Sequence, residues 1–431
     1  MDSDRVGSRR AIEALRNGVP SKHAVTAVGA NQGEIERAFR SALDRSEQQQ
    51  GAGQVPGLLI GGGFGTGKSH ALDYLKQIAL AKGFVCSKVV ISKETPLHKP
   101  DNVFASAVGS AAVPGSEAGP AIDAIWEALD GASRSPSTSY SEFSTWIKST
   151  DCPLGQMFAA SVHLFEELKR DAQVAEDVRA FWAGQLRLSV TDIRRHLRSI
   201  AAASAFNVKA IKAGDLALQR FTFMSRLIRG AGFKGWVLLL DEVELISRFS
   251  IKQRGLSYAE LARLFGRLKG QEVPGLVTVG AISDDFYKAV ILGEGVRGDK
   301  DDIPARLDAI DPTGASTARA TTGIQIIGEA IALRRPDETV RHMVYEKLKA
   351  LHRAAYNWEP PEVNSPPESH VNAMRLYVRW WINSWDLRRL NPETTPRLVI
   401  QPIHETLNED RDMDPSSEDE DRPETADTAV Q

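Results

Sequence analysis

Residues 57–70 read Gly-Leu-Leu-Ile-Gly-Gly-Gly-Phe-Gly-Thr-Gly-Lys-Ser-His, and this stretch decides the fold. It contains the pattern G-x-x-x-x-G-K-S from Gly62 to Ser69, with an apolar run before it and a helix-like pattern after it. A buried strand, a glycine loop and a helix N-terminus form the context in which this pattern binds phosphate. Glycines let backbone N–H groups approach phosphate oxygens, and the helix dipole adds to the attraction. The stretch therefore predicts a P-loop that binds a nucleoside triphosphate.

Each residue of this loop has an expected role in holding ATP and Mg²⁺. Lys68 should reach the β- and γ-phosphates, and the Ser69 hydroxyl should be a ligand of Mg²⁺. The backbone of the whole loop should surround the phosphates. The predicted nucleotide-binding residues of the loop are Gly62, Gly63, Phe64, Gly65, Thr66, Gly67, Lys68 and Ser69.

A second motif lies at residues 236–242, which read Trp-Val-Leu-Leu-Leu-Asp-Glu. An apolar run that ends in an Asp-Glu pair is a Walker B pattern. Asp241 is predicted to hold Mg²⁺ and so to belong to the nucleotide site, and Glu242 is predicted to polarise the attacking water as a general base. The alternative interpretation is an acidic pair that caps a strand. Together with the P-loop, the pair favours ATP hydrolysis over phosphoryl transfer to a small molecule.

The remaining apolar runs predict an α/β fold with a parallel sheet around the P-loop. Further strands are expected at residues 84–92, 276–283 and 323–328, and fully apolar strands indicate a parallel sheet covered by helices. The chain between the second and third strands is far longer than the dozen or so residues that a crossover needs. We therefore expect N-terminal helices and the first part of the core at 1–104, a helical insertion at 105–225, the second part of the core at 226–335, a helical lid at 336–408 and a disordered acidic tail at 409–431.

The residue that orients the attacking water is expected just after the strand at 276–283. Ser283 is the first candidate and Asp284 the second, although a plain loop start would explain both residues equally. A polar side chain there would lie between the two Walker motifs, because the carboxyl ends of parallel strands meet at one edge of a sheet.

Several arginines could stabilise the charge that develops on the γ-phosphate. Arg306 is the first candidate for a finger that reaches a neighbouring subunit, with Arg297 beside it. Arg375 is the candidate from the lid, with Arg379 as its competitor, and the pair Arg388-Arg389 could serve there or bind a partner. For each of them the alternative is an arginine in a surface salt bridge.

The charge distribution separates the C-terminus from the rest of the chain. Residues 409–427 hold ten acidic and two basic residues, so this tail carries −8 of a formal net charge of −3 and leaves +5 for the body. Such a composition predicts a disordered tail, which is either a solubilising segment or a mimic of nucleic acid. No apolar run approaches the ~20 residues that span a membrane, and we expect a cytoplasmic protein.

Evidence for DNA binding in the sequence is indirect. Basic residues lie on a predicted helix between Arg187 and Arg198, and Lys209, Lys212 and Arg220 follow. A basic helix face suits a phosphate backbone, but a solvated helix face explains the same pattern.

The order of these motifs resembles an AAA+ ATPase of the origin-recognition and initiator type. Four phrases further resemble the BrxD-type ATP-binding P-loop proteins of BREX systems: residues 9–20, 63–70, 84–96 and 385–390. The resemblance extends to about residue 408. It implies a bacterial component of defence against phage DNA, encoded beside a helicase and a DNA methyltransferase. Lys68, Ser69, Asp241 and Glu242 match motif positions of that family.

The sequence leaves three functional hypotheses. The first is an ATPase that assembles as a homo-oligomer on DNA, or that loads a partner helicase, through a hydrolysis cycle. The second is a scaffold that binds ATP without hydrolysing it. The third is a signalling ATPase that regulates proteins instead of DNA.

Overall fold

The computed structural model describes residues 2–19, 21–49, 53–116, 119–135, 137–185, 188–294, 298–365, 374–393, 407–408 and 410. Arg187, Arg297 and all of the predicted acidic tail except Asp410 lie outside the described residues.

A parallel sheet forms the centre of the protein. Its five strands lie in the order β2-β3-β4-β1-β5, and every neighbouring pair is parallel. All side chains of the third and fourth strands are buried, because helices cover both faces of the sheet. The α/β class with a parallel sheet is therefore confirmed. The strands are β1 (Leu58–Gly61), β2 (Val85–Val90), β3 (Trp236–Asp241), β4 (Leu276–Ile282) and β5 (Ile331–Ala332).

The prediction of a strand at residues 323–328 is wrong. These residues end the helix α14 (Ala315–Gly328), and the short β5 follows them. The buried residues Ala320, Gly323, Ile324 and Ile327 have the spacing of one helix face. That face packs on α12 (Ile251–Leu264) so closely that a Cβ on Gly323 would lie 2.0 Å from the Tyr258 carbonyl oxygen.

Two helical layers cover the sheet. On one face α3 (Gly33–Gln48) and α4 (Lys68–Ala81) pack their apolar side chains onto the strands. On the other face lie α12, α14 and the helices that join β2 to β3. Those connecting helices are α5 (Pro100–Gly109), α6 (Ala121–Arg134), α7 (Thr138–Lys148), α8 (Gln156–Leu168), α9 (Ala172–Trp182), α10 (Val190–Ser199) and α11 (Ala213–Gly230).

A buried ion pair fastens α13 (Asp299–Asp308) to α12. The Arg254 guanidinium donates two hydrogen bonds to the Asp299 carboxylate, at 2.9 and 2.8 Å, and the Tyr258 hydroxyl donates a third at 2.6 Å. Asp299 is fully buried, so these three donors replace the water that its charge would otherwise bind.

The C-terminal helices form a separate cluster with the N-terminal ones. Helices α15 (Glu338–Tyr356) and α16 (Met374–Leu390) share a hydrophobic core with α1 (Asp2–Asn17) and α2 (Lys22–Val28). We call these four helices the lid module. None of the helices in the described part of the chain is long and apolar enough to cross a membrane.

Candidate nucleotide-binding site

The P-loop joins β1 to α4 in a conformation that depends on glycine. Gly65 and Gly67 have φ angles of 73° and 105°, which residues with a Cβ rarely adopt. A Cβ on Gly62 would lie 2.7 Å from the Thr66 hydroxyl oxygen, so the Thr66 side chain occupies the space that a larger residue at position 62 would need. Helix α4 begins at Lys68, and its N-terminal amides therefore face the loop. This cradle fits a chain of phosphates.

A cavity of about 420 Å³ opens above the P-loop, between the α/β core and the lid module. It is large enough for a nucleotide. Its lining is charged around the P-loop and mainly apolar where the lid module contributes, and we call the latter part the apolar end. The charged end is the P-loop with the carboxylates that follow β3. The residues that line the rest include Leu15, Val19, Val28, Gly29, Gln32, Arg248, Leu333, Arg335, Val340, Val344, Met374, Arg375 and Val378.

Lys68 lies at the centre of the charged end and already has two partners. Its Nζ donates to the Gly62 carbonyl at 2.9 Å and lies 3.4 Å from an oxygen of Glu244. The other oxygen of Glu244 accepts a hydrogen bond from the Ser283 backbone N–H at 3.2 Å. Both side chains are nearly buried, so the carboxylate links the P-loop lysine to the end of β4. The sequence did not single out Glu244, because it follows the Walker B pair without belonging to it.

Asp241 and Glu242 both line the cavity, as expected for Walker B residues. Asp241 is buried, and Lys88 of β2 lies 3.2 Å from one of its oxygens and 2.7 Å from Asp73. Burial disfavours the charged form of Lys88, but the attraction of the Asp241 and Asp73 carboxylates is stronger than this effect and raises the pKa of Lys88. Glu242 is exposed and has a φ of 57°, so the chain turns sharply just where the strand ends.

Arg375 is the arginine of the lid module that lines the cavity. Its guanidinium lies 5.7 Å from the ring centroid of Phe64, a P-loop residue, and donates to the Gly18 carbonyl at 2.9 Å. Arg375 therefore connects α16 to both the P-loop and the N-terminal segment. Arg379, one turn further along, is exposed and is not among the residues that line the cavity.

The other predicted residues lie at different distances from the cavity. Ser283 is buried at the end of β4 and contacts Glu244 through its backbone. The Asp284 carboxylate lies 3.5 Å from the position of a Cβ on Gly63, so it is next to the P-loop. Arg306 is exposed in the last turn of α13 and does not line the cavity of its own chain.

The arginine pair at the end of α16 makes contacts within the lid module. Arg388 donates to the Glu362 carbonyl, and the Arg389 guanidinium lies 4.2 Å from the ring centroid of Tyr356. Neither arginine lines the nucleotide cavity, so the structure does not support a role for this pair in that site.

The N-terminal segment that lines the apolar end was also missed by sequence reasoning. The Gly29 carbonyl binds the His70 ring of α4 at 2.8 Å, and the Val28 carbonyl accepts from Lys347 of α15 at 2.9 Å. Burial lowers the pKa of His70, although its bond to Gly29 opposes that change. Gln32 exchanges two hydrogen bonds with the backbone of Arg334, in the connection between β5 and the lid. These contacts join residues far apart in the chain, so no local sequence pattern predicts them.

The residues at the charged end fit a magnesium ion only together with phosphate. No group of three or more His, Cys, Asp or Glu side chains suited to a metal was found among the described residues. Mg²⁺ does not need such a group, since it binds one or two protein oxygens and completes its shell with phosphates and water. Ser69 and Asp241, which line the same cavity, supply donors of that kind.

The predicted basic face is smaller than the sequence suggested. Arg220 is buried and lies 2.6 Å from Asp101, so its inclusion in an exposed basic surface is wrong. Arg194 donates to the Val208 carbonyl and Arg195 pairs with Asp192, but both remain exposed on α10. Arg198 is exposed on the same helix.

Comparison with known protein families agrees with this site. The sequence model of the family described as "BREX system ATP-binding protein BrxC/D" matches residues 4–290, about two thirds of the chain. The chain belongs to this BrxC/D family. The match includes the P-loop and the Walker B strand and ends before α13, so the second half of the lid module lies outside it. Neither the curated proteins nor the solved structures that were compared with the chain gave a match.

Membership of the BrxC/D family supports an ATP-binding role in a BREX system. The expected resemblance is therefore confirmed at the level of the family. The fold is likewise that of a P-loop NTPase, with the glycine loop at the carboxyl end of β1 and the Asp-Glu pair at the carboxyl end of β3, the two strands that flank β4 in the parallel sheet.

Proposed function

We propose that this protein is a magnesium-dependent ATPase whose hydrolysis cycle moves the lid module relative to the α/β core. One observation carries the proposal: Lys68, Asp241, Glu242 and Arg375 all line a single cavity between these two parts. The first three come from the core and the last from the lid module. A nucleotide that contacts both sides favours the arrangement in which they are close, and its hydrolysis removes part of that preference.

Within this proposal each side chain has one task. Lys68 binds the β- and γ-phosphates, and Ser69 and Asp241 hold Mg²⁺, which would neutralise phosphate charge. Glu242 accepts a proton from the attacking water. Asp284, beside the P-loop, and Ser283 are the candidates that orient this water. Arg375 binds the nucleotide from the lid side, and Arg306, which is exposed and does not line the cavity of its own chain, is the candidate that reaches the site of a neighbouring copy.

We further propose that the cycle acts on DNA or on a partner helicase within the BREX system. The exposed arginines of α10 support DNA contact, and the family supports the setting. The methyltransferase of the same system is a second candidate partner. Contacts with phosphates would make DNA binding weaken steeply as salt increases.

Steady-state ATP hydrolysis tests this function in three proteins, each with and without duplex DNA: wild type, Lys68→Ala and Glu242→Gln. We expect slow turnover by the wild type that DNA stimulates, and none by either variant. Glu242→Gln should still bind ATP, whereas Lys68→Ala should bind it at least about tenfold more weakly. An ATP hydrolysis rate that is the same with and without DNA would favour regulation of another protein. ATP binding without any hydrolysis would favour a nucleotide-gated scaffold.

A further inference from the structure

Glu244 occupies an unusual position for a carboxylate in a phosphate site. It is 5% exposed, and one of its oxygens lies 3.4 Å from the Lys68 ammonium, the group expected to bind phosphate. Carboxylate and phosphate are both anions that bind a lysine ammonium at short range. A phosphate that approaches Lys68 must therefore compete with Glu244 or share the lysine with it.

The second oxygen of Glu244 connects Lys68 to the end of β4. It accepts the Ser283 N–H at 3.2 Å, and the preceding residue, Ile282, accepts from the Gly62 N–H at 3.1 Å. The end of β4 thus contacts both the first glycine of the P-loop and the carboxylate that holds Lys68. Asp284, the next residue but one after Ile282, lies beside Gly63. A single residue, Glu244, therefore connects Lys68 to Ser283, one of the residues proposed to orient the water.

We propose that Glu244 is a positioning residue that competes with the nucleotide for Lys68 and so limits ATP affinity. When Lys68 turns to the phosphates, Glu244 keeps its bond to Ser283 and loses its contact with Lys68. This inference rests on the proposed function in one respect, namely that Lys68 binds the phosphates of ATP. It adds a residue outside both Walker motifs to the machinery of the site.

The substitution Glu244→Gln removes the charge and keeps an oxygen that can accept the Ser283 N–H. We expect it to bind ATP about tenfold more tightly than the wild type, a change of about 1.4 kcal/mol in binding free energy. Glu244→Asp keeps the charge on a shorter side chain, and its affinity should be intermediate. Isothermal titration calorimetry with ATP and Mg²⁺ measures all three dissociation constants. Glu242→Gln is the comparison for a loss of negative charge, and its effect on affinity should be smaller because Glu242 is exposed.

Thermal unfolding with and without ATP separates competition from a purely structural role. Glu244→Gln should lower the melting temperature in the absence of ATP, since it removes the carboxylate that lies beside Lys68, and saturating ATP should close the gap to the wild type. An equal gap under both conditions, or an unchanged or weaker affinity in Glu244→Gln and Glu244→Asp, would overturn the inference. In a Lys68→Ala background, Glu244→Gln should no longer increase affinity. If Lys68→Ala alone binds ATP as the wild type does, the proposed function fails instead.

Discussion

The close crossing of α12 and α14 at Gly323 allows the loss of stability in the variant Gly323→Ala to be predicted. A Cβ at this position would lie 2.0 Å from the Tyr258 carbonyl oxygen and 2.6 Å from its carbonyl carbon. Side chains do not approach backbone atoms this closely, so one helix would have to move by about 1 Å in an interior that is packed as densely as a crystal. Overpacking of this kind typically costs about 1–3 kcal/mol, and we expect Gly323→Ala to lose at least about 2 kcal/mol.

Gly131 provides a matched control in another helix. It lies inside α6, and a Cβ there would meet no atom within 4 Å. Alanine in a helix reduces the freedom of the unfolded chain, so Gly131→Ala should stabilise the protein by about 0.4–1 kcal/mol. Urea denaturation followed by circular dichroism measures both variants. If Gly323→Ala unfolds at the same urea concentration as the wild type, the close crossing of the two helices is incorrect.

Three further predictions concern a buried charge, a buried histidine and the lid arginine. Asp299→Asn should lower the free energy of unfolding by about 3 kcal/mol, because it leaves the buried Arg254 beside a neutral side chain. Glu329→Gln is the control: it removes the charge from an exposed pair with Arg267 and should change the free energy of unfolding by less than about 1 kcal/mol. Urea denaturation measures both. Burial lowers the pKa of His98 from 6.5 to about 4. The buried neutral ring therefore contributes to stability above pH 6.5, and this contribution is lost as the pH falls toward 4. His98→Phe should make the melting temperature less dependent on pH across this range. Arg375→Ala should weaken ATP binding at least threefold by calorimetry, whereas Arg379→Ala, one turn further along the same helix and not among the residues that line the cavity, should not. Equal effects of the two would contradict the assignment of Arg375.

Much of the core follows from local sequence because its elements are long and apolar. The runs that became β3 and β4 have no polar side chain on either face until the strands end, apart from Thr278, and a glycine loop with Lys68 leaves few alternatives to a P-loop. The helix-like pattern after the loop is confirmed by α4. The charged end of the cavity was therefore largely predictable.

The apolar end of the cavity was not predictable from local patterns. It forms because α1 and α2 pack on helices more than 300 residues away in the chain, as in the bond from Lys347 to Val28. The two-residue β5 is too short to produce a periodic signal, so the Ile-rich end of α14 was mistaken for a strand. Glu244 acquires its role through contacts with Lys68, the first residue of α4, and with Ser283, which follows β4.

Equilibrium ATP binding by the wild type and Lys68→Ala tests the central claim most directly. Lys76→Ala is the matched control, since Lys76 lies on the same helix but does not line the cavity. We predict that the wild type and Lys76→Ala bind ATP with equal affinity, and that Lys68→Ala binds at least tenfold more weakly, a loss of about 1.4 kcal/mol or more. Equal affinities in all three proteins would contradict the assignment of the P-loop as the ATP site.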